Sequence, residues 1–193
     1  MKRILIAAAL VFVAALVFAA APACAAHWTV DAAKSNLGFS VVWSKEPFTG
    51  VFRNWKADIE FDPADLAHSH VAVTIETGSE FSDSPDSDEG LKGATGFAAD
   101  KFPTARFETG KFQRLADGSY LGDAKLTIRG ITQPLRLAFK LAFDGNRAHM
   151  TGNATLDRTA FGVGQGEWAA PTPVAHEVTV SVDLTATKSG PAR

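Results

Sequence analysis

Apolar and polar residues alternate with a period of two in eight segments of the chain. In one of them, Leu137, Phe139 and Leu141 occupy alternate positions, with Lys140 between the last two. Because successive side chains of a β-strand point to opposite faces, this pattern predicts strands with one buried and one solvated face. The segments are residues 37–43, 57–61, 71–75, 105–107, 124–128, 135–143, 150–156 and 178–184. The chain is therefore predicted to be an all-β protein.

Short connections of turn-forming composition separate several of these strands. Asp117-Gly118, residues 130–134 and Asp144-Gly145-Asn146 each lie between two consecutive segments and have the composition of tight turns. Short links place consecutive strands side by side, which favours an up-and-down antiparallel order. Eight such strands can close into a barrel that has no exposed edge and encloses a packed core or one small ligand. We predict an eight-stranded antiparallel up-and-down barrel, with a two-sheet sandwich as the alternative.

Two long segments interrupt the pattern. Residues 78–103 carry an acidic cluster and are predicted to form a long, partly helical loop, and residues 159–176 are rich in Gly, Pro and Ala. Loops of this length on a compact sheet are usually lids, binding loops or flexible segments.

The N-terminus has the three parts of a secretory signal. Lys2 and Arg3 precede an uncharged run over residues 4–21, and small residues follow at Ala23-Cys24-Ala25, where an A-x-A cleavage falls. We therefore divide the chain into a signal peptide, residues 1–25, and one β-barrel domain, residues 26–193, and expect an exported protein. An uncleaved membrane anchor and a lipoprotein acylated at Cys24 are the alternatives.

Composition limits the chemistry of the exported domain. Cleavage after Ala25 removes the only Cys and leaves 17 basic against 21 acidic residues, a net charge of −4. Such a domain has no disulfide framework and no basic field, so we expect no nucleic-acid partner. Nucleophilic catalysis needs a Ser or Cys with an activating base, and the mature chain has neither a Cys nor a G-x-S-x-G turn. We predict that the protein is not an enzyme.

Three polar motifs have simpler explanations than a binding site. His68 and His70 are two residues apart at the start of a predicted strand, but no third metal ligand is recognisable, so we expect solvated histidines. The acidic cluster in residues 83–89 lacks the spacing of a calcium-binding loop and is predicted to be solvated. The glycines in residues 162–166 do not lie between a strand and a helix, as a phosphate loop requires. We predict neither a metal nor a cofactor.

Aromatic usage favours a dry interior. The mature chain keeps 12 of the 14 Phe and has 4 Trp but only 1 Tyr, and Phe brings no hydroxyl that must find a hydrogen-bond partner. The small residues Gly152 and Ala154 share the interior parity of their segment and leave room beside large rings. At this point the interior is either a filled core or a ligand cavity.

Motifs in a fixed order through the mature chain resemble the YceI-like family. They are Trp28-Thr29-Val30-Asp31, Ser35-Asn36-Leu37-Gly38-Phe39-Ser40, Ala57-Asp58-Ile59-Glu60-Phe61-Asp62-Pro63, Asp100-Lys101-Phe102-Pro103 with Phe107, Leu126-Thr127-Ile128-Arg129-Gly130-Ile131-Thr132 with Pro134, and Asp157-Arg158-Thr159 with Phe161-Gly162-Val163. The chain departs from the family pattern at Trp43, where many members carry a His, and in residues 83–90, where an Asn-Glu-Lys-Arg-Asp-type run is usual.

The resemblance implies a lipocalin-like barrel in the periplasm that holds a long apolar molecule, such as a polyisoprenoid, an isoprenoid quinone or a fatty amide. It also implies two partners, since family members are often homodimers and some are associated with cytochrome b561-type membrane proteins. The predicted function is to hold a long-chain isoprenoid or similar amphiphile in the barrel lumen. The alternatives are an enzyme acting on such a lipid and an accessory module that docks a cytochrome b561-type redox partner.

Strand parity nominates the residues of this ligand site, each of which either contacts ligand or belongs to the packed core. The predicted lumen residues are Leu37, Phe39, Val41, Trp43, Ile59, Phe61, Val71, Val73, Ile75, Phe107, Leu126, Ile128, Leu137, Phe139, Leu141 and Met150. Phe97 and Phe161 are predicted to cover the lumen from the loops. Arg158 shares the parity of Leu156 and is predicted to point inward, where it pairs with a carboxylate or meets a polar head group.

Overall fold

The computed structural model describes residues 25–190. The signal-peptide interpretation, with its alternatives at Cys24, falls outside this range except for Ala25. Within the range the strands are β1 (His27–Val30), β2 (Asn36–Trp43), β3 (Glu46–Phe52), β4 (Trp55–Glu60), β5 (His70–Glu76), β6 (Glu80–Phe81), β7 (Thr104–Arg114), β8 (Tyr120–Ile128), β9 (Ile131–Asp144), β10 (Arg147–Asp157) and β11 (Val174–Lys188). One α-helix, α1 (Pro85–Lys92), and 3-10 turns at Ala32–Lys34, Leu66–His68, Thr77–Ser79, Arg158–Phe161 and Gly166–Trp168 complete this part of the chain.

The strands form one closed antiparallel barrel with eight positions around its circumference. β1 and β2 are two parts of the first barrel strand, because both pair with β11: Trp28 lies opposite Lys188 and Val41 opposite Val178. In the same way β3 and β4 form the second strand and β5 and β6 the third, and β7 to β11 supply the other five. The pairing of the first strand with β11 closes the barrel. The prediction of an eight-stranded up-and-down barrel is confirmed, and closure excludes the sandwich.

The sequence produces these hairpins through alternation and turn chemistry. In β8, Ala124, Leu126 and Ile128 are buried whereas Lys125 between them is exposed. In the turn between β9 and β10, Gly145 has a φ of 57°, a left-handed conformation that glycine adopts without steric cost.

The long segment after β6 contains a helix, as predicted. Pro85 begins α1, where its missing N–H costs no hydrogen bond, and Asp86 and Asp88 lie in the first turn, where the helix dipole favours negative charge. The prediction that this acidic cluster is solvated is wrong at one position. Asp88 is only 9% exposed and accepts a hydrogen bond of 2.5 Å from the Ser82 hydroxyl. None of the helices within residues 25–190 has the length and hydrophobicity to cross a membrane.

Two buried clusters lie at opposite ends of the barrel. We call the first the closed end; it consists of Trp28, Phe61, Tyr120, Phe139, Ala148 and Ala186. The second core consists of Ala105, Leu126, Ile128, Phe161 and Val163, and it lies beside the turn between β8 and β9. The space between these two clusters is the candidate site.

Candidate functional site

A cavity of about 560 Å³ occupies the barrel interior, a volume within the usual range for small-molecule sites. All eight barrel positions contribute side chains to its wall, and residues 86–97 and 158–168 complete it. Nearly all of these side chains are apolar. The interior is therefore a ligand-sized apolar compartment.

Partial exposure of the inward-facing side chains shows that the barrel is hollow. Val73, Phe107 and Leu137 point into the lumen from three different strands, and each is only half-buried. A side chain in a close-packed core would be fully covered by neighbours. These residues are not covered because no side chain reaches them from the opposite wall.

The structure places all nineteen predicted site residues on the cavity wall. The strand residues are Leu37, Phe39, Val41, Trp43, Ile59, Phe61, Val71, Val73, Ile75, Phe107, Leu126, Ile128, Leu137, Phe139, Leu141 and Met150, and the others are Phe97, Arg158 and Phe161. Their contact with a ligand stays a prediction. Phe161 is only 2% exposed and belongs to the second core, so it is a fixed part of the wall.

Six of the wall residues form a continuous line of rings, which we call the aromatic row. Its members, in order, are Trp168, Trp43, Phe48, Phe39, Phe52 and Phe97, with successive ring centroids 5.3 to 6.2 Å apart. Gly50 makes the row possible, because a Cβ at this position would lie 2.5 Å from the Phe39 ring. All six rings are half-buried.

An opening of the cavity lies beside α1. Asp86, Gly90 and Thr95 line the cavity and are also exposed to solvent. The fourth exposed wall residue, Phe143, lies at the closed end, where its ring packs 5.7 Å from that of Trp28. A ligand that extends out of the lumen beside α1 meets the acidic helix and one end of the aromatic row.

In the described part of the chain, the hydrogen bonds of Arg158 go to backbone carbonyls and not to a carboxylate. Its Nε donates to the carbonyl of Ala175 at 2.9 Å, and its two terminal nitrogens donate to the carbonyls of Val163, Gly164, Trp168, Ala170 and Val174 at 2.7 to 3.4 Å. The guanidinium is 6% exposed, and this burial lowers its pKa from the ordinary value while Asp157 opposes the shift. A guanidinium has five N–H donors, so these bonds occupy all of them. Arg158 therefore holds the 158–175 loop in shape, and its contact with a head group stays a prediction.

Gly164 allows this arrangement. It has a φ of 77°, and a Cβ there would lie 2.0 Å from a terminal nitrogen of Arg158. Gly164 is thus required by packing against a buried cation, whereas nothing lies within 4 Å of a Cβ at Gly166.

The remaining polar side chains deep in the wall are also satisfied. Thr77 donates to the carbonyl of Phe102 at 2.6 Å, Thr109 donates to that of Asp123 at 2.7 Å, and the Trp28 indole donates to that of Phe61 at 2.9 Å. The titratable side chains on the described wall are Asp86 and Arg158. Asp86 is exposed at the opening, so the deep lumen presents no free charge.

One buried acid lies next to the cavity without lining it. Glu80, on β6, is opposite Phe52 in the strand pairing and is 4% exposed. Neither of its carboxylate oxygens has a hydrogen-bond partner among the described residues. Its pKa is raised to about 7, chiefly by burial and to a smaller extent by Asp88 and Glu89, while its own backbone N–H and Lys92 oppose the shift.

The two histidines of the sequence motif do not meet at a common ligand site. His68 lies 2.8 Å from the carboxylate of Asp65 in the same 3-10 turn, and His70 is exposed at the start of β5. Within residues 25–190 no group of three or more His, Cys, Asp or Glu side chains has the arrangement of a metal site.

Sequence parity missed several wall residues for identifiable reasons. Phe48 and Phe52 lie on β3, where Pro47 and Gly50 obscure an alternation that is nevertheless present. Phe112 is on β7 beyond a register shift between Thr109 and Lys111, and such a shift reverses the parity that simple counting follows. Trp168 comes from the loop, where periodicity carries no information.

Comparison with known proteins agrees with this geometry. The family model of the YceI-like domain matches residues 28–186. A UPF0312 protein of Vibrio vulnificus is 27% identical over 144 residues, which cover 72% of this chain and 73% of the relative. A UPF0312 protein of Pseudomonas syringae pv. tomato is 26% identical over 167 residues, 82% of this chain and 79% of the relative.

Two solved structures have the same architecture. Burkholderia cenocepacia BcnA is similar with a TM-score of 0.79 and 30% identity, over 82% of this chain and 100% of that one. A polyisoprenoid binding domain from Saccharophagus degradans has a TM-score of 0.66 and 13% identity, over 84% of this chain and 98% of that one, and this likeness concerns the fold alone. The family match spans most of the chain, and the barrel and its lumen agree with it: the chain belongs to the YceI-like family.

Proposed function

We propose that this protein carries a long-chain isoprenoid, or a similar amphiphile, in its barrel lumen and performs no chemistry on it. The observation that carries the proposal is the hollow cavity of about 560 Å³, whose wall is apolar and whose deep polar groups are already hydrogen-bonded. The Saccharophagus degradans neighbour, described as a polyisoprenoid binding domain, supports the same class of ligand.

The driving force is the removal of the tail from water. Burial of apolar groups contributes about 0.8 kcal/mol per CH₂, so enclosing a few isoprene units offsets the cost of ordering a flexible chain and immobilising the ligand. The wall suits a branched tail, since Val, Leu and Phe side chains present an irregular apolar surface on every side.

The polar groups of the site favour a ligand whose head group is uncharged. An anionic head group needs a cation, but every N–H of Arg158 is engaged by backbone carbonyls. At the opening it would meet Asp86 and the other acids of α1. We therefore expect a hydroxyl, quinone or amide head group rather than a carboxylate or phosphate.

The absence of chemistry is part of the proposal. An enzyme acting on the lipid would use two titratable groups that converge on the substrate. On the described wall, Asp86 is exposed at the opening and Arg158 is bound within its loop. Placement in the periplasm, homodimer formation and association with a cytochrome b561-type membrane protein are proposals drawn from the N-terminal sequence and the family.

Ligand identification tests the function directly. Protein purified from its native host is examined by native mass spectrometry and by solvent extraction, and a long-chain lipid with an uncharged head group is expected. The matched variant is Val182→Phe. Val182 lines the cavity and is only half-buried, so a ring at this position projects into the lumen. This variant is expected to fold normally and to be recovered without lipid.

The control is Ser181→Phe, which adds the same ring to the exposed outer face of β11 and is expected to retain the lipid. Repeated recovery of ligand-free wild-type protein, or equal lipid content in Val182→Phe and wild type, would contradict the proposal. An anionic lipid in the extract would contradict the head-group assignment while leaving the carrier function intact.

A further inference from the structure

A buried acid underneath the helix at the cavity opening has no role in the ligand site described above. Glu80 is 4% exposed, and both oxygens of its carboxyl group lack a hydrogen-bond partner among the described residues. Leaving an ionised group buried without a partner is costly. The neutral, protonated carboxyl fits this position much better than the carboxylate does.

The covering element is α1. It packs against β6 and the Thr77–Ser79 turn, and its residues Asp86, Ser87, Gly90 and Leu91 form part of the cavity wall. Glu80 on β6 therefore lies between the barrel and the helix that borders the opening.

The helix is attached less firmly than the segment that follows it. In the described part of the chain, the hydrogen bonds of α1 stay within residues 82–99, for example from Ser82 to Asp88. The next residues are bound to the β8–β9 turn and to the 158–175 loop. The Arg129 guanidinium donates to the carbonyl of Ala94 at 2.9 Å, and the Gly164 N–H donates to that of Thr95 at 2.7 Å. Phe97 and Ala99 also donate to the carbonyls of Leu91 and Lys92, so this segment is joined to the last turn of α1. The earlier part of α1 can therefore move away from β6 while Ala94 and Thr95 keep their contacts with Arg129 and Gly164.

The charges around Glu80 act on its ionisation in both directions. From α1, Asp88 and Glu89 disfavour the carboxylate and Lys92 favours it, while Asp86 is exposed on the cavity side of the same helix. Directly after β3, the Arg53 guanidinium lies 3.4 Å from the centre of the Phe81 ring. The Thr77–Ser79 turn carries no titratable side chain.

We propose that protonation of Glu80 controls how firmly α1 closes the cavity opening, so that ligand exchange depends on pH. The inference rests on the proposed carrier function for its ligand, but the movement of α1 can be measured without one. When the carboxyl is protonated, β6 and α1 pack together without a buried charge. When it loses the proton, the charge is buried without a hydrogen-bond partner, the attraction of Lys92 is opposed by Asp88 and Glu89, and the helix moves away to let water reach it.

The sign of the pH effect follows from proton binding. Burial raises the pKa of Glu80 from 4.5 to about 7 in the closed form, whereas in an opened form the solvated carboxyl has its ordinary value. Between these two values the closed form holds a proton that the open form releases, so closure weakens as pH rises. Closure is expected to be firmest near the lower value and weakest above the higher one.

The experiment uses the full chain and the fluorescent apolar probe N-phenyl-1-naphthylamine. Release of bound probe into vesicles is followed by stopped-flow fluorescence from about pH 5 to about pH 8.5, a range that brackets the expected transition. Wild-type release is expected to accelerate several-fold across this range. Glu80→Gln, a neutral side chain of the same shape, is expected to release the probe slowly at every pH. The control Glu89→Gln removes an exposed charge from the same helix and is expected to keep the pH dependence.

Hydrogen exchange of residues 82–93 without probe gives an independent measurement. After correction for the intrinsic pH dependence of amide exchange, protection in the wild type is expected to fall as pH rises, and protection in Glu80→Gln to stay constant. Protection that does not change with pH in the wild type, or the same pH profile in Glu80→Gln, would overturn the inference. If α1 responds to pH but no probe binds, the carrier function fails and the inference about α1 stands.

Discussion

The closed end and the aromatic row are built from the same kind of side chain, yet one is a core and the other is a wall. At the closed end, the ring of Phe61, which directly follows β4, lies 5.2 to 6.1 Å from those of Phe112, Tyr120 and Phe139, which come from three different strands. Each ring is thus contacted from several directions. The small side chains of Ala148 and Ala186 complete the cluster and let the rings converge across the barrel.

In the aromatic row the rings contact one another along the wall. Phe39 and Phe48 lie on the paired strands β2 and β3, with ring centroids 6.2 Å apart, and the lumen lies on their inner side. Ring spacing is similar in both places, so spacing does not distinguish them. The two regions differ in whether side chains from the opposite wall cover the rings. Covered rings stabilise the barrel, and uncovered rings are free to bind a ligand.

The largest expected effect comes from removing a ring at the closed end. Phe61→Ala should lower the free energy of unfolding by about 3 to 5 kcal/mol, because the neighbouring rings cannot collapse into the space. The matched change in the aromatic row, Phe48→Ala, should cost only about 1 kcal/mol, since the ring is half-buried and already borders a void. Urea unfolding of both variants measures the difference, and equal losses would show that the two regions pack alike.

The second prediction compares the interactions that stabilise the two ends of the barrel. The loop beside the second core depends on the hydrogen bonds of Arg158, whereas the closed end depends on apolar packing. Arg158→Met keeps much of the side-chain volume but leaves buried carbonyls, including those of Val163 and Val174, without donors. We expect a loss of about 3 kcal/mol in the free energy of unfolding.

Arg136→Met is the control for this change. Arg136 is exposed, and its Nε lies 3.0 Å from the Asp123 carboxylate, so its loss should change stability by no more than about 0.5 kcal/mol. If Arg158→Met were as mild as Arg136→Met in thermal unfolding, the loop would not depend on the guanidinium.

Much of the fold was predictable because alternation is imposed by the pleat of each strand. The eight segments, their antiparallel order and the short helix after β6 all follow from local sequence. β3 was missed as a separate segment because Pro47 and Gly50 weaken its pattern, although the structure uses Gly50 to seat the Phe39 ring. Its two Phe residues alternate correctly around that glycine, so a search centred on Phe48 and Phe52 would have found them.

The site was harder to predict than the fold. The alternation of a strand indicates which of its faces is dry, and the residues that we predicted from it do lie on the cavity wall. It cannot report whether the opposite wall is within reach, which is why Phe61 and Phe39 are indistinguishable in sequence. The partners of Arg158 depend on a loop whose backbone folds around the guanidinium, and the burial of Glu80 depends on where α1 packs. Both are tertiary properties that no local pattern records.

The smallest expected effect tests the aromatic row as a binding surface. Trp43 lies between the rings of Trp168 and Phe48, at 5.6 and 5.3 Å, and its indole faces the lumen. Trp43→Ala should weaken binding of an apolar fluorescent probe by roughly five- to tenfold, about 1 kcal/mol or slightly more. Val42→Ala, on the exposed outer face of the same strand, should leave affinity unchanged. The contrary outcome is that Trp43→Ala and Val42→Ala both keep wild-type affinity in fluorescence titration while Val182→Phe abolishes binding. The ligand would then occupy the lumen without contacting the aromatic row, and the row would have no role in binding.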